Sequence, residues 1–130
     1  MNRKYIFLIV AVLLVVTAFI VLTYNASKEE KYTAESENWK VSLTLAKENE
    51  KFVSLICEYM GEINETINHF EYKLKGASDY FAGTERGNWD SKYIYKHSAL
   101  SNRALVPNES NQFEITITFG GHTETLSLTK

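Results

Sequence analysis

The stretch "QFEITITFGGHTETLSLTK", residues 112–130, decides the fold. Phe113, Ile115, Ile117 and Phe119 alternate with Glu114, Thr116 and Thr118, and a second run carries Leu126 and Leu128. Alternation of this kind puts every second side chain on one face of a strand. Gly120 and Gly121 separate the two runs, and glycine accepts the positive φ of a tight hairpin turn. The stretch therefore predicts a β-hairpin with one buried face.

The same period recurs upstream. "NWKVSLTLA" (residues 38–46) sets Trp39, Val41, Leu43 and Leu45 against Lys40, Ser42 and Thr44. "FVSLICEYMG" (residues 52–61) is more continuously apolar, as in a strand covered on both sides, and Gly61 ends it. "TINHFEYKLK" (residues 66–75) puts Phe70, Tyr72 and Leu74 on one face, and "SKYIYKH" (residues 91–97) reads as a short aromatic strand. Six to seven short strands within residues 38–130 predict an antiparallel β-sandwich of immunoglobulin-like type, with Trp39 and Tyr59 as core aromatics of its two sheets. Residues 46–74 also admit a helix, because good helix formers carry apolar residues at 52, 55, 56, 59, 63, 67 and 70. Their β-branched and aromatic content, with Gly61, favours strands.

The other end of the chain has a different character. From Tyr5 to Tyr24 no residue is charged, and apart from the terminal tyrosines only Thr17 and Thr23 are polar. Twenty helical residues rise about 30 Å, the thickness of a bilayer's hydrocarbon core. Tyr5 and Tyr24 flank the block, where amphipathic rings favour the interface. The expected organisation is a cytoplasmic tail over residues 1–4, a transmembrane signal-anchor helix over 5–24, a polar juxtamembrane spacer over 25–37 and an extracytoplasmic β domain over 38–130. Arg3 and Lys4 set the orientation, since short basic flanks stay in the cytoplasm. The competing reading is a cleaved signal peptide with a secreted domain. Residues 16–18, "VTA", have the small-x-small form, but Phe19–Leu22 continue the apolar run where cleavage needs it to stop. Cys57 is the single cysteine and lies far from the block, which leaves no lipidated cysteine at its end. Residues 25–130 hold 12 basic and 16 acidic side chains, a balance that argues against nucleic acid or anionic lipid as a bulk-charge partner.

Chemistry-bearing motifs are sparse. The chain has no P-loop, nucleophile elbow, HExxH, CxxC or EF-hand pattern, and the reading is of a non-enzyme without cofactors. His69, His97 and His122 share no metal-ligand spacing and read as solvated strand residues, with no metal site expected. Cys57 sits among apolar residues and reads as a buried, inert thiol. Asn25, Asn64 and Asn108 open Asn-x-Ser/Thr sequons, which matter only in a glycosylating pathway. Residues 76–95, "GASDYFAGTERGNWDSKYIY", read as a glycine-punctuated loop rich in aromatics. Tyr80, Phe81, Trp89, Asp90 and Tyr93 are its candidate partner-binding residues, because loop aromatics stack on sugars or anchor proteins. Asp79, Glu85 and Asp90 would add hydrogen bonds or a weak calcium site. The alternative is that these aromatics fold back to fill the core.

"NWKVSLTL", a strand ending "YMG" and the terminal "FEITITFGGHTETLSL" hairpin together resemble small membrane-anchored or lipoprotein-type proteins of the Gram-positive cell envelope. In that group the terminal turn often follows Trp and contains Asn-Gly, where this chain has Phe119 and Gly-Gly. The resemblance implies an extracytoplasmic immunoglobulin-like β domain and carries over no catalytic residue. The expected function is that of an anchored interaction module: residues 5–24 in the bilayer, and the β domain on an envelope protein or glycan. The alternatives are an accessory subunit acting mainly through its transmembrane helix, or a secreted module.

Overall fold

The computed structural model describes residues 2–26, 28–98 and 103–130. Helix α1 (Arg3–Ala26) leads into eight strands: β1 (Glu29–Glu35), β2 (Trp39–Ala46), β3 (Phe52–Tyr59), β4 (Ile67–Lys75), β5 (Tyr80–Trp89), β6 (Ile94–His97), β7 (Phe113–Phe119) and β8 (His122–Leu128). They form two antiparallel four-stranded sheets, ordered β1-β2-β3-β6 and β5-β4-β7-β8.

Helix α1 is long and apolar enough to cross a membrane, a property it shares with signal sequences, and the protein buries none of that span. Its two threonines do not leave a hydroxyl bare. Thr17 Oγ1 donates to the Leu13 carbonyl at 2.7 Å and Thr23 Oγ1 to the Phe19 carbonyl at 3.0 Å. Back-bonding of this kind is how hydroxyls are accommodated where water is absent.

The terminal hairpin forms as its pattern dictates. Gly120 and Gly121 take φ of 60° and 80°, and Phe119 pairs with His122 across a two-residue turn. Phe113, Ile115, Ile117 and Phe119 are buried. On the outer face Thr116 meets Thr125 at 3.1 Å and Thr118 meets Thr123 at 3.0 Å, side-chain pairs that lock the register. Strand β3 runs from Phe52 to Tyr59 with Phe52, Leu55 and Cys57 buried, so the helical alternative for residues 46–74 does not hold. Trp39 and Tyr59 pack together at 5.1 Å, but they pair directly across β2 and β3 in one sheet rather than coming from the two sheets.

Two strands depart from the sequence expectation. Residues 29–35, read as part of a spacer, form β1, which pairs with β2 along its whole length. Only Tyr32 of β1 is fully buried, edge-on to Phe113 of the opposite sheet at 4.8 Å. Residues 80–89, read as loop, form β5, the longest strand. Its inward positions are Phe81, Gly83, Glu85, Gly87 and Trp89, so glycine and glutamate break the hydrophobic alternation. Gly83 is needed there: a Cβ would lie 2.5 Å from the Tyr72 ring, which covers the strand in place of a side chain.

The core is one cluster drawn from both sheets, dominated by Trp39, Phe52, Phe70, Tyr72, Tyr93 and Phe119. The sheets also meet at one margin, where Thr33 of β1 and Thr129, just beyond β8, exchange two backbone hydrogen bonds of 2.8 and 3.0 Å. Below this bridge the Lys130 ammonium donates to Glu30 Oε1 at 3.1 Å.

Strand directions define two ends. Strand β1 starts three residues after Ala26, a distance the chain spans in about 11 Å at most. The end of the domain where β1 starts, here the near end, also holds the β2–β3 and β4–β5 turns. The far end holds the β1–β2, β3–β4, β5–β6 and β7–β8 connections.

Candidate binding site at the far end

The five partner-binding candidates do not form one surface. Tyr80 is exposed at the near end, with Lys73 Nζ 4.5 Å from its ring centroid. Phe81 is half-buried and stacked on Phe52 at 5.4 Å. The other three lie nine or more residues after Tyr80, at the far end. Tyr93 is wholly buried, stacked on Phe119 at 4.9 Å, and Trp89 meets it edge-on at 4.4 Å. Burial pushes the Tyr93 phenol upward, and its hydroxyl lies beside Glu85 without reaching hydrogen-bond geometry with any described residue. Of these three, only Asp90 is exposed. Phe81, Trp89 and Tyr93 thus fill core.

The acidic trio is also dispersed. Asp79 is held by the Arg103 guanidinium at the near end, and that hydrogen bond keeps its carboxyl below the usual range. Glu85 faces inward in mid-β5 and Asp90 lies at the opposite end. Among the described residues no three His, Cys, Asp or Glu side chains converge. His69 sits 3.3 Å from Glu71, His97 packs on Phe52 at 5.3 Å, and His122 borders the far-end cleft.

That cleft was not legible in the sequence, because its walls come from four strands. Trp39 opens β2, Tyr59 closes β3, Ile67 opens β4 and Phe119 closes β7. They line a cavity of about 400 Å³ whose rim is Asn38, His122, Thr123 and Glu124. Backbone bonds fix the surrounding loops: Met60 N–H donates to the Asn38 carbonyl at 2.6 Å, and Tyr59 N–H to the Tyr93 carbonyl at 3.0 Å. Across the mouth, Asn38 Nδ2 donates to Glu124 Oε2 at 3.3 Å.

Cys57 lies outside the cleft lining. It is completely buried on β3, and burial pushes its thiol up to about 12. The nucleophilic thiolate is therefore absent across the physiological range. A thiol-specific disulfide reagent should leave the native chain unlabelled below pH 10 and add one equivalent after denaturation. Rapid native labelling would mean that β3 opens locally.

In comparison with known proteins, the chain matches no family model, no curated protein and no solved structure.

Proposed function

We propose that the chain is a single-pass membrane protein that displays an extracytoplasmic immunoglobulin-like module and engages an envelope protein or glycan with its far end. The observation that carries this reading is the course of β1. It begins three residues beyond the apolar helix and climbs the full height of the domain, so four connections and the aromatic cleft lie away from the anchor. Without β1 the chain would enter at β2, and the same connections would face the bilayer.

The immunoglobulin-like reading rests on strand order. Counting β2 as the first strand, the sheets run first-second-fifth and fourth-third-sixth-seventh. Constant-type immunoglobulin sheets run first-second-fifth-fourth and third-sixth-seventh. The two differ only in which sheet takes the fourth strand. Strand β1 is an addition to this plan, and no disulfide joins the sheets, since Cys57 is the one cysteine.

Two measurements on the native protein in cells test the proposal. The amino terminus of the cell-associated form should be intact, and a tag linked after Lys130 should be reachable from outside. Photo-crosslinkers at Glu62 or Asp90 should capture a partner in intact cells, and crosslinkers at Lys47 or Asn108 should not. A terminus beyond Ala18, with the protein in the medium, would replace the anchor with a secreted module. Capture only from within the helix, at Val12, would favour the accessory-subunit reading.

A further inference from the structure

The far-end cleft has a chemistry that selects its occupant. Its floor is aromatic with Ile67 beside it, and its rim carries His122, Thr123 and Glu124, whose carboxylate has one oxygen bonded to Asn38 and one open. No Lys or Arg lines it. The groove along the β1–β8 margin, by contrast, holds Lys31 and Lys40.

Charge around the mouth has the same sign. The far-end connections bring Glu37, Glu62, Glu65 and Asp90, all exposed, against a single basic residue, Lys92. Lys92 is already paired with Glu58 at 3.6 Å. None of the four carboxylates is in an ion pair with a described residue. The near end is close to balanced, with Lys28, Lys47, Lys51, Arg103 and Lys130 among its acidic residues. The net negative charge of the domain is thus concentrated around an aromatic cleft.

Resting on the reading of the far end as the binding end, we infer that its partner is a protein that presents a basic segment. A lysine or arginine of that segment lays its aliphatic stem over the half-buried Tyr59 ring, above the buried Trp39 and Phe119, and places its cationic head at Glu124. An aromatic face with a carboxylate beside it attracts a cation by quadrupole and by charge, while desolvating mostly the apolar stem. The four outer carboxylates steer the segment in and repel anionic envelope polymers.

The test uses the full chain in nanodiscs of zwitterionic phosphatidylcholine, which gives a cationic probe no anionic lipid to bind. Tetralysine is titrated in, with tetraglutamate and a neutral chitotetraose as comparators, and Trp39 and Asn38 side-chain NMR signals report occupancy. Tetralysine should shift both signals and bind at least tenfold more tightly than either comparator. Raising salt from 50 to 300 mM should weaken it several-fold. Glu124→Gln, which preserves the hydrogen bond from Asn38, should weaken it about fivefold. The combined Glu37→Gln, Glu62→Gln, Glu65→Gln variant should weaken it further without changing the unfolding temperature. Preferential binding of chitotetraose at Trp39 would overturn the basic-segment inference in favour of a glycan. Tetralysine shifts confined to near-end residues, or unaffected by Glu124→Gln, would overturn it as well. Either result leaves the far-end reading to be judged separately, since the Glu62 and Asp90 crosslinks do not depend on the partner's charge.

Discussion

Trp39→Ala should destabilise the domain by about 3–5 kcal/mol, the range for truncating a buried large aromatic. Trp39 is 3% exposed and touches Tyr59 at 5.1 Å, Phe119 at 5.5 Å and Phe70 at 5.8 Å, so it joins residues of both sheets at the far end. Small domains are stable by about 5–15 kcal/mol in total, so this one substitution removes a large share. The unfolding midpoint of the full chain in micelles should fall by about 15 °C or more. Loss of stability below about 1 kcal/mol would mean that the cluster repacks around the gap, and the cleft floor would need to be redrawn.

Tyr32→Ala is the second large effect, at about 3–4 kcal/mol. Tyr32 is 1% exposed, edge-on to Phe113 of the facing sheet, with Lys130 Nζ 5.5 Å from its ring centroid. Burial raises its phenol above the ordinary value, in keeping with a ring sunk into the core. Its neighbour Lys31 is exposed, and Lys31→Ala should stay within about 0.5 kcal/mol. Chemical denaturation of the two variants separates a strand from a spacer. If residues 29–35 were only a tether, both substitutions would be silent.

What the sequence disclosed follows from where its alternation is intact. The β7–β8 hairpin was readable to its turn, because Phe113 to Phe119 alternate without a fault and two glycines follow. Strands β2 and β4 were readable for the same reason, and β6 by its aromatic content. Strand β5 was hidden because tertiary contacts, not local pattern, define it. Gly83 makes room for Tyr72, and a Cβ at Gly87 would lie 2.8 Å from the Trp89 ring, so two inward positions carry no side chain. Strand β1 was hidden because Tyr32 alone commits it to the core, flanked inward by half-buried Glu30 and Ala34. The aromatics of residues 80–93 were seen as a group, but they serve two ends of the sandwich. The cleft was invisible because Trp39, Tyr59, Ile67 and Phe119 meet only after both sheets have formed.

The bridge between Thr33 and Thr129, together with the full-length pairing of β1 on β2, has a mechanical consequence. Tension applied between the far end and helix α1 would run along the β1 axis. Ladder hydrogen bonds lie perpendicular to the strands. Such tension would therefore shear all the rungs of β1 at once instead of peeling them one by one. Strand β1 is placed to act as a clamp, and the attachment between helix and domain should resist force better than its short sequence suggests.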